Sequence, residues 1–437
     1  MSDNCPTAQL NHLDWLTSAY QRVAEAQGYE GFLLYSGEPR CHHADDQAAT
    51  FRTYAHFLHW VPMPGLSHSW LYIRPGTKPT LYLHAPADFW HLPPELPDAP
   101  WTTRFDIRPT AETAPPRPPR GRLAVLGDVP AGIAERLGGE LNPPHLLRAL
   151  DELRVKKTPY EVDCIREANR LALAGHQAAR DAFNAGTTEL DIQLAFLGAS
   201  RQRESDVPYQ NIIGLNRHAG VLHYQHYNVH PPASYSSLLV DAGRSVAGYA
   251  ADITRTWAGN DADPQFSALI HSMNVMQQRL IEAIRPGVSF IALHQHMHQA
   301  LGTLLIEHGL IHCSEEAAVE SGITRAFCPH GLGHLLGLQV HDVGGRMTPD
   351  GQPLPAPQGD PALRLTRELE ADMVVTVEPG LYFIPMLLEP LRDSTAGAHI
   401  DWMKVDTLAS HGGIRIEDNV LVTKEDQENL TRVQMTS

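Results

Sequence analysis

Four acids and a histidine-rich loop carry the chemistry of this 437-residue chain. Asp241 and Asp252 stand eleven apart in LLVDAGRSVAGYAADITRTW, on either side of a small, Gly-containing turn. Carboxylates are disfavoured on strands and repel when opposed, so two on one hairpin call for positive charge between them. VVTVEPGLYF alternates as a strand and sets Glu378 before a Pro-Gly turn, on the face of Thr376. GGIRIEDNVLV puts Arg415 and Glu417 on one face and Ile414 and Ile416 on the other. A glutamate within apolar strand sequence must be paired, neutralised or bound to a cation, because its uncompensated burial costs several kcal/mol.

CPHGLGHLLGLQVHDVGG adds His330, His334 and His341. The first two have the helical spacing of paired zinc ligands, but Gly331 and Gly333 argue against a helix there. A loop or strand bearing one ligand and two neighbouring imidazoles for substrate is expected instead. Four carboxylates with one imidazole form a mostly oxygen donor set, which favours Mn²⁺, with Co²⁺ or Zn²⁺ in substitution. Two divalent cations about 3.5–4 Å apart activate water for hydrolysis. Taken singly, each residue has a plainer reading: Asp241 as a turn acid, Asp252 as a partner of Arg255, Glu378 as exposed, Glu417 as a partner of Arg415. Taken together, on strand-like segments beside a histidine loop, they point to a metal pair.

The elements that must position these groups lie in the second part of the chain. T-P-Y-E at 158–161 is a helix start, with Thr158 to cap, Pro159 at the first position and Glu161 to reach back. Val162, Ile165, Ala168, Ala172 and Leu173 follow with helical period. DAFNAGTTELDIQLAF (181–196) and EAIRPGVSFIALHQHM (282–297) resemble each other, which points to two related α/β halves with a cleft between them. Before this, GFLLYSG, SWLYIRPG, PTLYLHAP and GRLAVLGDV read as strands of a smaller α/β domain behind a helical opening. The four prolines of TAPPRPPRGR (113–122) make an extended surface connection.

The chain is long enough for two domains. A net charge of −16 argues against a nucleic-acid or anionic-membrane partner, since either requires a basic face. The N-terminus lacks a basic flank and apolar core, and no run of eighteen apolar residues occurs, so a soluble, unexported protein is expected. Five scattered cysteines without C-x-x-C suggest neither a disulfide framework nor a thiolate zinc site, and fit a reducing cytoplasm.

D-x10-D, H-G-L-G-H-x2-G-L-x2-H-D, V-E-P-G and G-I-R-I-E-D, in this order, resemble the pita-bread metallopeptidases: aminopeptidase P, prolidase and methionine aminopeptidase. DVPYQNIIGLNRHAGVLHY and the segments above are similar to the bacterial prolidase branch, which includes organophosphorus acid anhydrolases, over most of residues 150–425. YSGE (35–38), HWVP (59–62) and ADFWH (87–91) extend the likeness forward. The resemblance implies a small N-terminal α/β domain over 1–155 and a pita-bread catalytic domain with pseudo-twofold halves over 156–437.

It also implies five metal ligands: Asp241, Asp252, His334, Glu378 and Glu417. Asp252 and Glu417 would bridge two divalent ions, Asp241 would serve one, and His334 with Glu378 the other. Glu378 would also be the general base, and His223 and His341 the imidazoles that contact the scissile carbonyl. Arg364, fourteen before Glu378, matches the arginine that holds the substrate carboxylate in prolidases, with Arg367 as a nearby rival. Arg415 would support the site from beside Glu417, and Tyr209 would line the pocket. Asp45 and Asp46 fall where related dimers reach a first-domain loop into the neighbour's site. Two departures from the family pattern stand near the site: Ala371-Asp372 where Pro-Gly is usual, and Pro385 after the Glu378 strand.

The expected activity is hydrolysis of Xaa-Pro dipeptides by a cytoplasmic homodimer, with organophosphorus esters as a side activity. The rivals are aminopeptidase P, acting on longer peptides, and an idle pita-bread binding module that has lost its metals.

Overall fold

The computed structural model describes residues 5–118 and 121–435. Pro119 and Arg120, within the proline-rich run, lie outside them. The chain divides into two compact units, one formed by residues up to 154 with 158–164 and 349–351, the other by 155–157, 165–348 and 352 onward.

The first unit is built on a six-stranded mixed sheet of β1 (Gly31–Tyr35), β2 (Trp70–Ile73), β3 (Thr80–His84), β4 (Asp106–Thr110), β5 (Leu123–Leu126) and β6 (Glu140–Leu141), in the order β4-β3-β2-β1-β5-β6. Every residue of GFLLY is buried, which is why β1 reads as a continuous apolar run: both faces of the sheet are covered. Phe32 and Leu34 pack with Leu13, Leu16 and Tyr20 of the helix Cys5–Gln27. Leu33 and Tyr35 point the other way, toward Trp70 and Ile133. Asp45 and Asp46 lie on an exposed loop of this unit. Thr158 donates its backbone N–H to Glu161 at 2.8 Å, the reach-back bond expected of T-P-Y-E.

The second unit consists of two halves with the same order of elements. In the first, the helices Pro159–Asn184 (from residue 165) and Glu189–Ser200 precede a sheet of β7 (Ile212–Leu215), β8 (Ser237–Asp241) and, after the two-residue strands β9 (Ser245–Val246) and β10 (Tyr249–Ala250), β11 (Thr254–Ala258), ordered β11-β8-β7. In the second, helices Pro264–Glu282 and Phe290–Glu307 precede β12 (Val374–Val377), β13 (Gly380–Tyr382), β14 (Gly413–Arg415), β15 (Asp418–Val422) and β16 (Gln427–Asn429). Here β12-β15-β16 form one sheet and β13-β14 a second. Each half has its own core. Phe183, Phe196, Ile213 and Val240 meet in one, and Phe266, Leu301, Val375 and Val420 in the other.

The resemblance between 181–196 and 282–297 is a repeat of helix-start chemistry. Thr188 accepts from the backbone N–H of Asp191 at 3.0 Å, and Ser289 from that of Ala292 at 3.3 Å. Gly186 and Gly287, two residues before each cap, sit at φ 73° and 84°, where a Cβ is strained. The two family departures are also accommodated. Asp372 takes the left-handed conformation, φ 72°, that a glycine would supply, which a short polar side chain tolerates. Pro385 opens the one-turn helix Pro385–Leu388, where its missing N–H costs nothing.

Candidate metal centre

The aspartates occupy the two ends of the hairpin that joins β8 to β11. Asp241 is the last residue of β8, and Asp252 stands two residues before β11 begins. The register pairs Asp241 with Thr254, and an isolated bridge then pairs Thr254 with Glu417. That bridge carries the first half's hairpin against the second half's strands. Asn419 fixes the approach, accepting from the Asp252 N–H at 3.0 Å and donating to its carbonyl.

The histidine segment is extended, as its glycines predict. It lies along β12: Glu378 N donates to Leu332 O at 2.8 Å, and Thr376 N to His334 O at 2.9 Å. Gly333 makes this possible, because a Cβ there would come within 2.0 Å of the Thr376 carbonyl. His334 and Glu378 therefore enter the site from neighbouring backbones, with His334 Nε2 3.6 Å from Glu378 Oε1 and 3.4 Å from Asp252 Oδ2. Asp252, His334 and Glu417 each present a ligand atom within 4.8 Å of the others. All three are buried, at 5%, 3% and 2% exposure.

The electrostatics show what this arrangement lacks. Asp241 is held by Tyr209 Oη at 2.8 Å and by Arg415 Nη2 at 2.6 Å. Four carboxylates thus share one guanidinium and the His334 imidazole, so acids outnumber bases at this point. Burial, with Asp252, Glu378 and Asp241 adding, pushes Glu417 well above the usual carboxylate range. Burial also raises Glu378, to about 7, against the pull of His334. Asp252 goes the other way, since the His334 hydrogen bond and charge outweigh its burial. Buried acids at this density are stable as anions only with compensating cations. The donor set, four carboxylates and an imidazole whose Nδ1 lies 3.0 Å from the Leu335 carbonyl, suits hard divalent metals.

Two of the plainer readings are corrected. Arg255 does not pair with Asp252 but with Asp418, Nη2 to Oδ1 at 2.6 Å. Arg415 does not pair with Glu417. It reaches past it to Asp241, and its Nη1 donates to Tyr382 Oη at 2.7 Å. Glu417 instead accepts from Thr254 Oγ1 at 2.6 Å.

The residues assigned to substrate sit around this cluster. The His341 ring stands perpendicular to that of His334 at 4.4 Å. His223 and Arg364 are exposed, and the charges of both act on His341. Arg367, the rival of Arg364, is buried at 2% exposure and tied to Glu370 at 3.1 Å, so it faces no substrate. Tyr382 and Thr254 were not anticipated. Tyr382 Oη bridges Arg415 and His330 Nε2, the latter at 2.9 Å. The only sign of either is alternation: Thr254 lies two residues from Asp252, and Tyr382 four from Glu378.

This architecture and site define a dinuclear metallopeptidase. The chain belongs to metallopeptidase family M24, which residues 163–424 match, and residues 8–151 match the Xaa-Pro dipeptidase N-terminal domain. It is 49% identical to a Xaa-Pro dipeptidase of Marinobacter nauticus over 96% of each chain, and 44% identical to one of Sodalis glossinidius over 97% of each. Among solved structures it resembles the aminopeptidase PepP of Pseudomonas aeruginosa, with TM-score 0.72 and 21% identity over 95% of both chains. Aminopeptidase P from E. coli, solved with the inhibitor Pro-Leu, gives 0.72 and 20% over the same shares. At that identity the structures establish the fold alone.

Proposed function

We propose that the protein is a Xaa-Pro dipeptidase whose two divalent ions, Mn²⁺ by the hardness of the donors, are held by Asp241, Asp252, His334, Glu378 and Glu417 in the catalytic domain 156–437. The observation that carries this reading is the excess of buried carboxylate over cation at one point, in a chain close to Xaa-Pro dipeptidases along almost its whole length. When bound, the metal pair polarises the scissile carbonyl and acidifies water.

The side chains do the rest. Glu378, the least buried acid of the set at 19% exposure, takes a proton from the attacking water and passes it to the departing proline nitrogen. His223 and His341 donate to the carbonyl oxygen as its charge develops. Arg364, exposed and free of the structural ties of Arg367, meets the proline carboxylate with a bidentate guanidinium. Arg415 and Tyr209 orient Asp241. Tyr382 holds Arg415 and His330 in place.

Free thiols at Cys41, Cys313 and Cys328 favour a cytoplasmic setting, and homodimerisation follows the family expectation. Among the described residues no helix is long and apolar enough to cross a membrane.

The test is a panel of Leu-Pro, Gly-Pro and Leu-Pro-Gly with the chelated and the Mn²⁺-restored protein. Dipeptides should be cleaved only after Mn²⁺ is returned. Preference for the tripeptide would favour aminopeptidase P, and full activity in the chelated protein would remove the metal mechanism.

A further inference from the structure

A second cluster of metal-binding type lies outside the centre just described. His294 and His298 are four apart on the helix Phe290–Glu307, and both face inward at 1% exposure. His296 between them is exposed. This is the helical spacing of paired zinc ligands that His330 and His334 have in sequence but not in space. Asp360, from the loop leading to Arg364, closes the group. Its Oδ1 lies 3.3 Å from His294 Nε2 and 3.8 Å from His298 Nε2. Tetrahedral coordination with bonds of 2.0–2.1 Å places donor atoms about 3.3 Å apart, the first of these distances and a little less than the second, and a ligand atom from each of the three residues lies within 4.8 Å of the others.

Both rings turn toward Asp360. Neither ring nitrogen of His294, nor Nδ1 of His298, has a hydrogen-bond partner in bonding geometry, whereas buried polar atoms are almost always satisfied. Burial keeps both rings neutral, His298 being lowered to about 3. Arg325, from Nε at 2.7 Å and Nη2 at 3.0 Å, outweighs burial to keep Asp360 an anion. Neutral imidazole and carboxylate are the ligating forms, so no proton competes at neutral pH. Arg325 uses one lone pair on each Asp360 oxygen and leaves others to ligate. A cavity of about 140 Å³ adjoins Asp360, lined in part by Cys328 and His330.

We propose that His294, His298 and Asp360 bind one further divalent cation, Zn²⁺ or Co²⁺, which ties the loop before Arg364 to the helix Phe290–Glu307. Two imidazoles and one carboxylate form a nitrogen-rich set suited to borderline metals, unlike the oxygen-rich main centre. The site has no role in the hydrolysis itself.

The test is a metal count on the full chain, dialysed against Co²⁺ and read by elemental analysis and by the visible absorption of tetrahedral cobalt. Wild type and the surface control His296→Asn should bind one more ion per chain than His294→Asn and His298→Asn, and only the first two should show the tetrahedral band. Asp360→Asn gives a third loss variant should either histidine variant fail to fold. The difference of one ion does not depend on how many the main centre holds. Equal counts and spectra in wild type and folded loss variants would overturn the proposal, as would loss of the ion in His296→Asn.

Discussion

Glu417 and Asp418 are neighbours in sequence and equally deep in the protein, yet they live in opposite electrostatic worlds. Asp418, fully buried, receives Arg255 and Arg432, both at 2.6 Å, and Asn429 at 2.8 Å. These outweigh its burial and hold it down at about 2. Glu417, pointing to the other side of the strand, receives one threonine hydroxyl and looks onto three more acids. The first carboxylate has been given its cations by the chain and is part of the framework. The second has been left short of them, the deficit that the proposed metal pair would make good.

The sharpest way to break this comparison is to exchange each acid for its amide. Glu417→Gln should lower the Mn²⁺ content below two per chain and reduce dipeptidase activity by about 10²- to 10³-fold or more, with secondary structure intact by circular dichroism. Unchanged activity would place Glu417 in the framework too. Asp418→Asn should leave the metal count alone and cost about 3–5 kcal/mol in urea unfolding, since the buried Arg255 and the partly buried Arg432 lose their anion.

The two arginines before the Glu378 strand extend the contrast. Arg364→Ala should raise KM for a Xaa-Pro dipeptide about 10- to 100-fold, the worth of about 1.5–3 kcal/mol of charge-assisted bonding, with kcat little altered. Arg367→Ala should instead lower the unfolding midpoint and spare KM.

Acid and base should act on the two kinds of group with opposite sign. Glu378 in the metal-free protein has its carboxyl raised from 4.5 to about 7, so the native state holds a proton that the unfolded state gives up. Metal-free stability then falls as pH rises from about 4.5 to 7, and the gain in melting temperature on adding Mn²⁺ should grow over that range. His176, buried against the Ala242 carbonyl and lowered to about 3, works in reverse. The unfolded chain binds its proton first, so stability falls as pH drops from 6.5 toward 3. Asp418 adds to that slope only below about pH 5, as the unfolded chain begins to take its proton around its ordinary value of 3.8. Substituting His176 by Asn should flatten the loss between pH 6.5 and 4, a smaller effect measured by urea midpoints.

Much of the site was legible because metal ligation demands particular residue types, and those types are conspicuous on apolar strands. Asp241, Asp252, Glu378 and Glu417 stand out in LLVDAG, AADIT, VTVEPG and IRIED because an acid amid apolar strand residues needs a reason. The glycines of HGLGH likewise argued against a helix by their low helix propensity, and the structure adds that close backbone approach to β12 leaves no room for a Cβ at Gly333. The helix start at Thr158 and the paired starts at Thr188 and Ser289 were readable for a similar cause: capping is local chemistry within four residues.

Partner choice was not legible. Nothing in TRTW or GGIRIED says that Arg255 serves Asp418 while Arg415 passes Glu417 to reach Asp241. Adjacent positions on an extended chain face opposite sides, and only the bridge between Thr254 and Glu417 fixes which sides meet. Nor did LHQHMHQAL distinguish an inward pair of histidines from a surface row, because the loop that brings Asp360 to them arrives some sixty residues later. Residue type and local spacing thus determined which groups carry charge and where helices begin, since both depend on short-range chemistry. The tertiary structure alone decided which buried charges are answered by the chain and which are left for metal, since that balance is struck between segments far apart in sequence.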